Sequence, residues 1–156
     1  MATHLKAGDP APDFSGTTTH GKAVSLGDFR GRKLVIYFYP MDDTPGCTKQ
    51  ACSLRDHNAE IAAKGAAILG VSTQGEESHR KFSEKFKLNF PLLADTDGAV
   101  GRAYGTLGGS GLLSKLKSAA GMADRVTFVI DEGGRIAHLI DRPDVSRHAE
   151  EVLALL

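Results

Sequence analysis

Leu34 to Tyr39 (LVIYFY) is an unbroken run of aliphatic, β-branched and aromatic residues closed by Pro40, the pattern of a central strand covered on both faces. After a turn over Pro40 to Asp43, Thr44-Pro45 reads as an N-cap followed by proline at the first helical position. Leu54, Ile61 and Ala62 recur at helical spacing, and Lys64-Gly65 supplies a stop, which predicts one helix running to about Ala63. Ala66 to Ser72 (AAILGVS) is a second buried strand. The span from Leu34 to Ser72 is thus a strand-helix-strand unit whose strands should be parallel.

Glu76 to Lys87 follows as an amphipathic helix, with Phe82 and Phe86 one turn apart. Phe90 to Ala94 reads as a short strand and Asp97 to Tyr104 as a short helix. Val126 to Ile130 and Arg135 to Ile140 flank Asp131-Glu132-Gly133-Gly134 and form a hairpin, and a last helix runs from about Val145 to Leu156. Upstream, Gly8 to Gly31 mixes Gly, Thr, Pro and Asp with isolated apolar residues, which suggests a short hairpin and loops. The glycine-rich stretch Gly105 to Gly121 reads as a mobile loop with one helical turn at Leu112 to Ser118. A parallel unit followed by an antiparallel hairpin, with helices between and after, describes an α/β chain: a mixed central sheet with helices on both faces, as in a thioredoxin-like fold. No repeat or linker divides it, and residues 1–156 read as a single domain.

The chain has 156 residues, 41% of them hydrophobic, enough for one core. Nineteen Lys and Arg balance nineteen Asp and Glu, so no basic field exists to hold nucleic acid or an anionic membrane. With no signal-like or membrane-spanning apolar run, the expected location is the cytoplasm, where cysteines stay thiols unless chemistry oxidises them.

There are two cysteines, and their placement carries the chemistry. Open α/β sheets bind ligands beyond the carboxyl ends of their strands, which here is Pro40 to Cys47. With Thr44 as N-cap, Cys47 is the third helical residue, near unpaired backbone N–H groups and the positive end of the helix dipole, a setting that favours a thiolate. Two buried inert thiols remain the bland alternative. Zinc is disfavoured because Cys47, Cys52 and His57 lie five residues apart and diverge around a helix by about 140° each. The six histidines show no ligand spacing and read as surface or structural residues, Asp42-Asp43 as a solvated turn, and Gly108 to Gly111 as a flexible stretch without the context of a phosphate loop.

Pro40-Met41-Asp42-Asp43-Thr44-Pro45-Gly46-Cys47 resembles the P-x-x-x-T-x-x-C pattern of peroxiredoxins. The longer YFYPMDDTPGCTKQAC is similar to the bacterioferritin comigratory protein or peroxiredoxin Q subgroup, with a second cysteine five residues after the first. Arg125 to Asp131 (RVTFVID) and Ala11 to Phe14 (APDF) also resemble family segments. The resemblance implies a thiol peroxidase in which Cys47 attacks a hydroperoxide and Cys52 resolves the sulfenic acid as a disulfide. Recycling by thioredoxin or a similar dithiol would follow, with no cofactor or metal. Thr44 either caps the helix or turns its hydroxyl toward the thiolate and peroxide, Arg125 supplies fixed positive charge, Gly46 offers a backbone donor, and Pro40 shields the sulfur. The expected assembly is a monomer or weak homodimer.

Two departures accompany the resemblance. Gln50 stands where the subgroup usually has Glu, so a hydrogen bond to an arginine would survive without its charge. Thr106 to Met122 does not resemble the subgroup, so no substrate contact carries over there. A redox-regulated binding protein built on the same cysteine is the rival function. The pairing also has a geometric consequence: five residues of ideal helix separate the Cα atoms by roughly 8.6 Å, against the 4.4 to 6.8 Å or so of a disulfide. The first helical turns must unwind before the bond closes.

Overall fold

The computed structural model describes residues 3–108, 116 and 120–156. Most of Gly105 to Gly121, including the helical turn expected at Leu112 to Ser118, lies outside the described residues. The elements are β1 (Ser15–Thr18), β2 (Ala23–Ser25), a 3-10 helix (Leu26–Phe29), β3 (Lys33–Phe38), α1 (Pro45–Asp56), α2 (Asn58–Ala63), β4 (Ala66–Ser72), α3 (Glu76–Phe86), β5 (Leu92–Ala94), α4 (Ala99–Ala103), β6 (Val126–Ile130), β7 (Ile136–Asp141) and α5 (His148–Leu153). The strands form one sheet in the order β2-β1-β5-β4-β3-β6-β7.

As the continuous apolar runs predict, β3 is central and pairs in parallel with β4, Val35 opposite Ile68 and Tyr37 opposite Gly70. Its other neighbour is antiparallel β6, with Tyr37 opposite Thr127 and Phe38 opposite Val126. This register brings the start of β6 alongside the end of β3. Arg125, one residue before β6, therefore arrives beside the loop that leaves β3.

The two faces of β3 bury different sets. Val35, Tyr37 and Tyr39 pack with Cys47, Ala51 and Leu54 of α1, Ile61 of α2, Phe82 of α3 and Val152 of α5. Leu34, Ile36 and Phe38 pack on the other side with Val100 of α4, Tyr104 and Phe29. Side chains alternate across a strand, so both faces are filled by one continuous apolar run.

The structure departs from the sequence expectations at element ends. The helix expected to reach Ala63 is broken at His57 (φ −114°, ψ 10°) into α1 and α2. There the His57 ring takes the Ser53 carbonyl at 3.0 Å while its backbone N–H donates to Leu54. A side chain thus occupies the acceptor that the next helical turn would use. β5 begins at Leu92, after Pro91, which has no N–H for the ladder. α5 begins at His148 instead of Val145, because Asp144 folds a turn by accepting from both the amide and the hydroxyl of Ser146.

Candidate active site

Thr44 is extended (φ −91°, ψ 157°) and Pro45 opens α1, as Thr44-Pro45 predicts. The Thr44 hydroxyl does not cap the helix; it donates to the Met41 carbonyl at 3.1 Å, inside the turn that leaves β3. Cys47 lies in the first turn of α1, 1% exposed, and Cys52 is half-buried on the same helix; both are free thiols. Cys47 is the third residue of α1, the position that Thr44-Pro45 predicts.

Arg125 reaches this first turn. Its Nη2 lies 3.3 Å from Cys47 Sγ, and its Nη1 donates to Gln50 Oε1 at 2.6 Å. The guanidinium spans two residues three apart on one face of α1, so its position relative to the sulfur is set at two points. Gly46 makes room for it: a Cβ at that position would come within 3.3 Å of Arg125 Nη2. Pro40, half-buried, follows β3 at the same end of the sheet. Thr44, Gly46, Cys47, Gln50 and Arg125 are thereby collected at the N-terminus of α1. A cavity of about 770 Å³ opens at the opposite end of β3, between Phe14, Phe29, Leu34 and Ile130. This cavity is not lined by Cys47, Arg125 or any other residue gathered at the N-terminus of α1.

The surroundings of Cys47 are unusual in their polar groups. Gln50 is fully buried, and its Nε2 and the Tyr37 hydroxyl are the two buried side-chain polar atoms without a partner among the described residues. Burial holds the Tyr37 phenol far above its ordinary pKa, and charge on Cys47 and on Asp42 pushes it the same way. Among the described residues, no group of three or more His, Cys, Asp or Glu is disposed to hold a metal ion.

The sequence pattern reads Asp42-Asp43 as a solvated turn, and for Asp42 the structure corrects it, while His79 and His148 are histidines of the structural kind. Asp43 does stand exposed in a turn at φ 59°, but the Asp42 side chain is 5% exposed and accepts three hydrogen bonds. The donors are the Tyr39 hydroxyl at 2.7 Å, the Ser78 hydroxyl at 2.7 Å and His79 Nδ1 at 2.6 Å. His79 is fully buried, and its Nε2 donates to the Leu93 carbonyl at 3.0 Å. A signal was present, since His79, Phe82 and Phe86 fall on one face of α3, but its partner lies 37 residues away. His148 is also buried, between the Thr127 hydroxyl at 2.8 Å and Glu151 Oε1 at 3.1 Å. Burial lowers its pKa, with Glu151 opposing.

Comparison with known proteins agrees with this geometry. The model of the AhpC/TSA family matches residues 7–139. Peroxiredoxin Bcp of Escherichia coli K12 is 42% identical over 149 residues, covering 96% of this chain and 94% of that protein. The solved structure of peroxidoxin BcpB from Mycobacterium tuberculosis superposes with a TM-score of 0.84 at 34% identity over 97% of this chain and 96% of that one. A Xanthomonas campestris bacterioferritin comigratory protein, studied for its alkyl peroxide reduction, superposes with a TM-score of 0.84 at 32% identity over 96% of each chain. With its thioredoxin-like sheet, its buried cysteine at a helix start and these full-length likenesses, the chain belongs to the AhpC/TSA family as a peroxidase of the Bcp and peroxiredoxin Q kind.

Proposed function

We propose that Cys47 is the peroxide-reducing thiol and Cys52 its resolving partner. The observation that carries this reading is the 3.3 Å approach of Arg125 Nη2 to Cys47 Sγ at the start of α1. A guanidinium there favours the thiolate over the thiol and meets the negative charge that grows on the departing oxygen. The Cys47 thiolate attacks one peroxide oxygen and the O–O bond breaks. The sulfur is oxidised by two electrons to a sulfenic acid, and the other oxygen takes a proton and leaves as water or alcohol. The Thr44 hydroxyl, now bonded to the Met41 carbonyl, is within a rotation of serving the incoming peroxide, and the backbone N–H groups of Gly46 and Cys47 are further donors.

The Cys52 thiolate then attacks the sulfenic sulfur, water leaves and a disulfide remains. With both cysteines on one unbroken α1, that step requires the first turns to unwind. A thioredoxin-type dithiol returns the pair to thiols by exchange, and no resident cofactor takes part. Both hydrogen peroxide and small organic hydroperoxides suit the site. The Xanthomonas relative's alkyl peroxide reduction supports the second class.

The test is NADPH oxidation coupled through thioredoxin and its reductase, with each peroxide in turn. Turnover should vanish in Cys47→Ser, because a serine hydroxyl is no comparable nucleophile near neutral pH. Cys52→Ser should complete one oxidation and then stall, and sustained turnover in it would remove Cys52 from the cycle.

A further inference from the structure

The turn between β3 and α1 hangs on one buried pair. Asp42 Oδ2 takes His79 Nδ1 at 2.6 Å and the Ser78 hydroxyl, and Asp42 Oδ1 takes Tyr39. The Asp42 amide donates to Gln74 Oε1 at 3.0 Å, and Ser72 at the end of β4 donates to the same oxygen at 2.7 Å. A single residue thus joins the turn to β3, to the loop after β4 and to α3, and His79 carries the connection to β5 through Leu93. Met41, whose carbonyl holds the Thr44 hydroxyl, is its immediate neighbour.

The partners also fix the protons. Leu93 offers His79 a carbonyl and Asp42 offers it a carboxylate, and neither can donate, so both ring nitrogens must carry hydrogen. Three donors converge on Asp42, so it is the carboxylate that they stabilise. Burial pushes the Asp42 carboxyl up, but the bond and charge of His79 with the two hydroxyls outweigh it and hold the group below its ordinary value. The groups facing His79 are Asp42 in the turn, the Tyr39 ring at the end of β3, Ser78 on its own helix and the Leu93 carbonyl on β5. Asp42 is the anion among them.

A bare carboxylate in this turn would work against the thiolate. Asp42 bonds the Tyr39 hydroxyl, and Tyr39 stacks on Tyr37 at 5.4 Å in the same buried cluster as Cys47, so the carboxylate acts on the sulfur across a low-dielectric core. We propose that Asp42 and His79 are positioning residues for peroxide reduction, an imidazolium–carboxylate pair that anchors the turn carrying Thr44 while presenting no net charge to Cys47. This rests on Cys47 being the reactive thiol. The pair supplies the strong charged hydrogen bonds that hold the turn, and the imidazolium cancels the charge that would otherwise suppress the nucleophile.

The test compares the reduced wild-type protein with H79Q, D42N and the double variant D42N/H79Q. Two quantities are read: the pH midpoint of iodoacetamide alkylation at the Cys47 peptide, and the rate at which that thiol is lost to hydrogen peroxide. H79Q leaves Asp42 uncompensated, so the midpoint should rise by about 0.5 to 1 unit, and peroxide reduction near neutral pH should slow accordingly. D42N introduces an amide nitrogen that donates to His79 Nδ1, so the ring becomes neutral, the hydrogen bonds persist and the midpoint should stay at the wild-type value. The double variant is again neutral and should return to it.

An unchanged midpoint in H79Q overturns the proposal. So does a lowered midpoint in D42N, which would mean that Asp42 acts as a bare anion in the wild type. Failure of the double variant to restore the midpoint would assign the H79Q effect to loss of packing and overturn the charge balance. Should H79Q not fold, the D42N arm decides alone. If peroxide consumes Cys52 before Cys47 in the wild-type protein, the Cys47 reading fails independently of every variant.

Discussion

Ser53 Oγ accepts a hydrogen bond from the Ala149 amide at 3.0 Å, tying α1 to the first turn of α5 immediately after Cys52. Amides in the first turn of a helix have no intrahelical acceptor, so Ser53 is what protects this one. If Cys52 must move to reach Cys47, Ser53 moves with it and Ala149 loses its partner. Hydrogen exchange should therefore accelerate in the disulfide form at Ala149 as well as at residues 48–54, while the amides of β3 stay protected. Unchanged protection at Ala149 and along α1 would mean that the disulfide closes without unwinding, or between chains.

Arg125 is held at both ends of its fork, on Cys47 and on Gln50. Arg125→Ala should slow peroxide reduction by about 10²- to 10³-fold, the usual loss when a preorganised charge-stabilising donor is removed. It should also raise the pH at which Cys47 is alkylated. A normal rate and profile would detach Arg125 from the chemistry.

Gly46→Ala tests the same contact from the other side. The added methyl would lie 3.3 Å from Arg125 Nη2 and push the guanidinium away from Sγ. Activity should fall in the direction of Arg125→Ala but less far, with melting temperature nearly unchanged. A full wild-type rate would indicate that the guanidinium has room to shift without cost.

Gln50→Glu replaces a neutral acceptor of Arg125 with an anion. The pair becomes a charged one, less of the guanidinium field is left for Cys47, and alkylation should need a higher pH. An identical alkylation profile would show that the amide and the carboxylate leave the same field at the sulfur.

His148 gives a stability prediction. Its two partners differ in kind from those of His79. Glu151 accepts from Nδ1–H, and Nε2 accepts from the Thr127 hydroxyl, so the ring is satisfied while neutral. Burial depresses its folded pKa below the ordinary value of 6.5. The unfolded chain then binds the proton first as pH falls, so stability is full above about 6.5 and is lost between that value and the lower folded one. His148→Gln should flatten the dependence of melting temperature on pH in this window. Parallel curves for the two proteins would show that His148 titrates alike in both states.

The sequence by itself determined the parts of this protein that depend on neighbours in the chain. The unbroken apolar run at Leu34 to Tyr39 makes a strand buried on both faces in almost any context, and β3 and β4 emerge where the pattern puts them. Thr44-Pro45 sets the start of α1 through proline's own geometry, and that start carries Cys47 to the end of the helix where backbone N–H groups are free.

The tertiary structure decided what depends on partners distant in sequence. Whether Asp42 is a solvated turn residue or a buried anion rests on Ser78 and His79, which arrive only when α3 packs against β5 and Tyr39. Whether Arg125 meets Cys47 rests on the antiparallel register of β6 against β3. A charge or a polar side chain reads the same in sequence whether water or protein satisfies it. Only the fold supplies the partner, and with it the protonation state and the role.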